Sequence, residues 1–340
     1  MQFGPYQLLR RIGSGGMGEV WLAQRDTAGV TRTVALKRLP RKLAREARYR
    51  RSLLEEARLS MMLSHSNIVH VFDAGEVAGE AFIAMEYVDG EDLSRLLKRL
   101  RETGQALPAT LIAYIIAEVL QALSYAHELR DAQGRVFSLV HRDISPHNVM
   151  ISASGEVKLT DFGVARLSSE DTSGTHVKGK IRYMPPEQLR GESRSPAVDL
   201  FAVGAVMHEL FDGDLFRGDN VEDATLLGMV MDGIVPDIVH DRRLPGPLER
   251  LRRGLLEPDP QRRMASAREA LELLYSWPDY RNASLAAAEW VRRMRGAQTN
   301  WEQDPFDSLP DEDSDLSHDG LGKQATFLQS DDAIALEADL

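Results

Sequence analysis

The sequence contains no cysteine in 340 residues. Disulfides and thiolate metal sites are therefore excluded, and a reducing, cytoplasmic compartment is permitted. A secretory leader is not expected either, because Met1 runs almost at once into Phe3-Gly4-Pro5-Tyr6 with no basic stretch followed by an apolar one. Nor is there a long hydrophobic run. The most apolar segment, Leu111 to Ala126, contains Glu118, Gln121 and Ser124 and falls short of the roughly 18 to 20 residues a membrane span needs. It reads as a buried core helix. A surplus of positive charge is also absent. The net charge is −11, and Trp301 to Leu340 hold 12 acidic residues and one lysine, which leaves 40 residues of each sign in the first 300. A neutral body argues against nucleic acid as a partner, which would call for a basic face. Internal repeats are not found.

What is present begins with an apolar content of 43%, ample for a core, on a chain long enough for two lobes and a tail. The stretch His141-Arg142-Asp143-Ile144-Ser145-Pro146-His147-Asn148 is followed, thirteen residues after Asn148, by Asp161-Phe162-Gly163. A carboxylate five residues from an amide, with a second carboxylate beyond, supplies what phosphoryl transfer requires: an acceptor for a hydroxyl proton and two oxygen ligands for Mg²⁺. Val149-Met150-Ile151 and Val157-Lys158-Leu159 flank a turn containing Gly155 and predict a β-hairpin. That hairpin would return Asn148 and Asp161 to one edge of one site.

Upstream, Gly13-Ser14-Gly15-Gly16-Met17-Gly18 lies between two strand-like segments, whereas a dinucleotide-binding glycine motif runs directly into a helix. Glycines without side chains let backbone N–H groups approach phosphates. Val34-Ala35-Leu36-Lys37 forms the next apolar strand. Taken together, these motifs resemble the bacterial eukaryotic-like (Hanks-type) serine/threonine protein kinases. The resemblance covers about 270 residues and stops near Trp277.

It implies an α+β, bilobal fold. Residues 1–88 would form a small, mainly β lobe with one long helix, 89–280 a larger, mainly helical lobe, 281–300 a helical extension, and 301–340 an acidic, disordered tail. It implies ATP and Mg²⁺ as ligands and protein serine or threonine hydroxyls as acceptors, with self-association for autophosphorylation in trans. By the same resemblance Asp143 accepts the hydroxyl proton, Asn148 and Asp161 hold the metal, and Lys37 pairs the α- and β-phosphates. The partner of Lys37 would be Glu56 or its neighbour Glu55. Ile12, Gly13, Gly15, Gly18, Val20, Ala35, Met85, Glu86, Val88 and Met150 would surround the nucleotide. Arg142 would answer a phosphate on the loop Ser168 to Thr175, as would the basic run from Arg38 to Arg51, whose other reading is a solvated helix face. Asp199 would bond the backbone near His141, and Glu187 would pair with Arg263.

Two positions depart from the family pattern: Ser145 stands where a lysine is usual and Lys180 where a threonine is usual. Either Lys180 supplies the missing ammonium or Mg²⁺ suffices without it. A catalytically silent scaffold, a dual-specificity enzyme and a small-molecule phosphotransferase remain as other functions. A further loop is expected at Arg130 to Arg135, and residues 284–295 predict an amphipathic helix with Leu285, Trp290, Val291 and Met294 on its apolar side.

Overall fold

The computed structural model describes residues 1–15, 18–39, 44, 46–130, 133–162, 179–219, 221–239, 244–296 and 326–327. The smaller lobe is an antiparallel sheet of β1 (Gln2–Phe3), β2 (Tyr6–Gly15), β3 (Gly18–Thr27), β4 (Val30–Arg38), β5 (Val71–Val77) and β6 (Glu80–Glu86), with helix α1 (Ala47–Met61) between β4 and β5. Its strand order is β1-β2-β3-β4-β6-β5. Side chains alternate across a strand, and β4 with β6 obeys that period. Val34, Leu36, Phe82 and Ala84 fill one face of the sheet with Phe3, Tyr6 and Leu8. Ala35, Ile83 and Met85 fill the other, with Leu53 and Ala57 of α1. Lys37 follows Ala35 by two residues and so points to the same face.

Backbone then crosses to β7 (Gly90–Asp92) and to helix α2 (Leu93–Thr103), where Asp92 caps the start by accepting from the Arg95 N–H at 3.0 Å. The spacing of Leu93, Leu96, Leu97 and Leu100 buries all four. Helix α3 (Ala109–His127) is long and apolar enough to cross a membrane, but most of its side chains are packed inside the larger lobe. This is the buried helix expected at Leu111 to Ala126. β8 (Val149–Ser152) and β9 (Val157–Leu159) form the expected hairpin and, with β7, a three-stranded sheet in the order β7-β8-β9. The larger lobe continues with α4 (Pro186–Leu189), α5 (Ala197–Asp212), α6 (Asp223–Met231), α7 (Gly246–Leu255), α8 (Ala267–Tyr275) and α9 (Ser284–Gly296). Its core joins α2, α3, α5, α7, α8 and α9 into one cluster.

Two expectations need correction. Leu285 of α9 is 84% exposed, and the helix instead buries Ala287, Ala288, Trp290, Val291 and Met294. The insertion after His127 is an exposed loop in its described residues, as expected, and Arg130 and Val136 close it with an antiparallel bridge. Within the tail, expected to be disordered, Thr326–Phe327 forms β10 and pairs antiparallel with Glu76 and Gly75 at the open edge of β5. The reason lies in local composition: Leu321 to Gln329 contain no acidic residue, and Thr-Phe favours a strand. Other residues of the tail, and the loop Ser168 to Thr175, lie outside the described residues.

Candidate active site

The segment from His141 to Asn148 holds no regular element before the short turn Pro146–Asn148, so side chains must fix it. Asp199, on the first turn of α5, accepts from the backbone N–H of His141 at 2.8 Å and of Arg142 at 2.7 Å. His127, at the end of α3, meets the same carboxylate at 2.8 Å. Burial alone would raise the Asp199 carboxyl, but these partners hold it below the usual carboxylate range. Gln188 donates to the Arg142 carbonyl at 2.7 Å. Two non-glycine residues adopt left-handed backbone here, Arg142 at φ 66° and Asp161 at φ 53°. Such conformations cost on the order of 1 to 3 kcal/mol each and persist only where surrounding contacts over-determine them. The Asp199 clasp does this for Arg142.

Asp143 is thereby presented to the cleft, where Asn148 Nδ2 donates to its Oδ2 at 2.9 Å and to its backbone carbonyl at 2.7 Å. On its far side the Lys180 ammonium donates to the same Oδ2. Ser145 is buried, and its hydroxyl has no hydrogen-bond partner among the described residues. The Arg142 guanidinium donates to the Ser193 carbonyl at 3.0 Å.

Lys37 donates to Glu56 at 2.7 Å and to Asp161 at 2.8 Å. Glu56 lies three residues after the buried Leu53 on the inner face of α1, whereas Glu55 is exposed. Helix periodicity thus selects Glu56. Burial alone would lower the Lys37 ammonium, but Asp161 and Glu56 raise it well above the usual lysine range. Burial pushes the Glu56 carboxyl up against the opposing pull of Lys37. For Asp161 burial also pushes upward, yet Lys37 outweighs it and the carboxyl stays below its usual range.

Above and behind these charges is a cleft of about 680 Å³. Ile12, Gly13, Val20, Ala35, Met85, Glu86, Val88, Met150 and Asp161 all line it, as expected. Gly18 is not among the lining residues; it pairs with Gly15 across the β2–β3 hairpin. A Cβ on Gly18 would lie 2.9 Å from the Arg38 carbonyl oxygen, so close passage of β4 is what requires this glycine. The ion pair expected in the larger lobe is present. Arg263 donates to Glu187 at 2.5 and 3.3 Å, with its guanidinium fully buried. Lining residues that motif reading missed include Arg10, Asp92, Arg95 and Arg295. Only Asp92 carried a local signal, as a helix cap.

For a metal the available donors are oxygens. Asn148 uses its Nδ2 on Asp143 and has Oδ1 left to offer, and Asp161 adds a carboxylate. No cluster of three or more His, Asp or Glu that could hold a metal occurs among the described residues. Two hard oxygen donors fit a Mg²⁺ that keeps most of its waters and shares phosphate oxygens.

Residues 6–276 match the family model of the protein kinase domain. Among curated relatives, tyrosine-protein kinase MasK of Myxococcus xanthus is 37% identical over 210 residues, covering 61% of this chain and 32% of the relative. Serine/threonine-protein kinase PknD of Mycobacterium tuberculosis is 35% identical over 270 residues, covering 78% of this chain and 38% of the relative. The chain thus spans about a third of the length of these relatives. The crystal structure of a point mutant of the Mycobacterium tuberculosis PknI kinase domain superposes with a TM-score of 0.60 at 28% identity, covering 81% of this chain and 96% of that one. On the matched segment and the bilobal fold that carries these charges, the chain belongs to the protein kinase domain family.

Proposed function

We propose that this chain transfers the γ-phosphate of ATP to serine and threonine hydroxyls of protein substrates. The observation that carries the proposal is the joining of Lys37, Glu56 and Asp161 in one ion network beside Asp143 and Asn148. Five residues from four parts of the sequence meet in the arrangement that phosphoryl transfer needs, which also speaks against a silent scaffold.

In this reading the base enters between Ala35 and Met150, and Lys37, held by Glu56, faces the phosphates. Asn148 orients the Asp143 carboxylate, whose free lone pairs accept the proton of the incoming hydroxyl. Asn148 and Asp161 would hold Mg²⁺, which would supply positive charge against the phosphate oxygens. Lys180 stands next to the reacting carboxylate and brings the ammonium that Ser145 lacks to the same region. Phosphorylation of the loop Ser168 to Thr175 in trans between copies, answered by Arg142, would raise activity. Cytoplasmic action on proteins completes the proposal.

Incubating the purified chain with labelled ATP, Mg²⁺ and a peptide library, followed by phosphoamino-acid analysis, tests it. Label on serine and threonine that vanishes in Asp143→Asn is the expected result; no transfer by a folded, nucleotide-binding protein would refute it. One finding favours a second reading, in which tyrosine is also accepted: a relative 37% identical bears the name tyrosine-protein kinase. Phosphotyrosine in the same digest would establish that reading.

A further inference from the structure

The family segment ends at residue 276, and α9 begins only at Ser284. This helix is nevertheless built into the larger lobe. Trp290, Val291 and Met294 are buried in its main core. At the start of α9, a Cβ on Gly155 would fall 1.8 Å from the Ser284 carbonyl oxygen, so the β8–β9 turn and the helix touch backbone to backbone. Gly155 also sits at φ +87°, and its carbonyl accepts from the Tyr114 hydroxyl at 3.0 Å. With its first turn fixed there, the helix reaches the connection between the lobes at its other end.

At that end Arg295 makes a fork. One guanidinium nitrogen bonds the Asp89 carboxylate at 3.0 Å, the other donates to the Gly90 carbonyl at 2.7 Å, and Nε lies 3.8 Å from Glu91. Arg295 also lines the cleft, beside Glu91, Asp92 and Met150. Gly90 to Asp92 form the cleft's near edge through register with β8, where Asp92 faces Met150. A nucleotide with its base at Ala35 and Met150 and its phosphates at Lys37 lays its sugar along that edge.

We infer that Arg295 is a positioning residue of the nucleotide site. It holds the Asp89–Gly90 backbone so that the edge formed by Glu91 and Asp92 meets the sugar of an adenosine nucleotide, and the nucleotide-binding unit therefore extends to α9. The inference rests on the kinase reading of the cleft.

Titration calorimetry on the full chain with adenine, adenosine and ADP tests it, using wild type, Arg295→Ala and Arg295→Lys. Asp89 is exposed, and an exposed charged pair contributes up to about 1 kcal/mol, about fivefold in affinity. Arg295→Ala should therefore weaken adenosine and ADP about fivefold while leaving adenine within about twofold. Arg295→Lys should recover part of the loss, because one ammonium keeps the charge but not the fork. Unchanged affinities with a lower melting temperature would make Arg295 a structural clamp and overturn the inference. An equal loss for adenine and adenosine would overturn it too, since the effect would then lie on the base. If wild type bound none of the three, the reading of the cleft would be what failed.

Discussion

Asp143 sits between an amide that orients it and an ammonium that neutralises it. On the proposed role Asp143→Asn keeps the shape and removes the base, so kcat should fall by about 10² to 10⁴, roughly 3 to 5 kcal/mol of barrier. Steady-state kinetics with unchanged turnover would remove Asp143 from the mechanism. Asp161→Asn differs in kind: on the proposed roles it loses a metal donor, so raising Mg²⁺ should restore part of its activity and none of that of Asp143→Asn. For Lys180 the expectation is a fall in kcat larger than any rise in the KM for ATP on Lys180→Ala, because charge builds on the transferring group in the transition state. The double change Ser145→Lys with Lys180→Thr should restore much of the loss, a coupling that independent residues do not show. Full kcat in Lys180→Ala would end the idea. At this scale most of the site was legible, because motifs fix residue type and order within a few positions. Arg295 was not, since its partner Asp89 is 206 residues away and no local pattern marks either one.

The elements explain where reading the chain succeeds and where it stops. Glu56 and Glu55 cannot be separated by composition, but burial of Leu53 and Ala57 sets the rotation of α1 and decides between them. Leu285 stays exposed because it lies five, six and nine residues before Trp290, Val291 and Met294, spacings that put it on the opposite face of α9 from the buried stripe. Helix–helix packing also hides a titration. His208 of α5 is buried, and Arg252 of α7 lies 3.1 Å from its Nδ1. Burial first, then the Arg252 charge, lower its pKa from 6.5 to about 4, against smaller opposing effects of Asp212, Glu249 and Asp237. The unfolded chain therefore binds a proton near pH 6.5 that the folded one refuses. This contribution to stability is complete above pH 6.5 and is lost as pH falls toward about 4, up to about 3 kcal/mol. Urea midpoints across that range should decline less steeply for His208→Gln than for wild type; parallel curves would count against a neutral buried His208.

For the whole molecule, charge is divided between a neutral body and a tail of net −11. β10 brings part of that tail to β5, whose Glu76 lies 3.7 Å from Arg50 of α1, the helix that carries Glu56. Deleting residues 301–340 should raise basal activity at low salt, with the difference shrinking as salt screens exposed charges. Exchange should quicken at Gly75 and Glu76, the β5 residues that β10 pairs, in the shortened chain, and equal activities at low salt would dismiss a regulatory tail. The seating of α9 bears on a different question, namely which portion of this chain is portable. A piece cut at residue 276 would shed Ala287, Trp290, Val291 and Met294, leaving a bare apolar seat on the larger lobe. Exposed patches of that kind invite aggregation. Any fusion, crystallisation fragment or evolutionary transfer that treats the family segment as self-sufficient would inherit a sticky surface, whereas one ending at Gly296 carries its own cover.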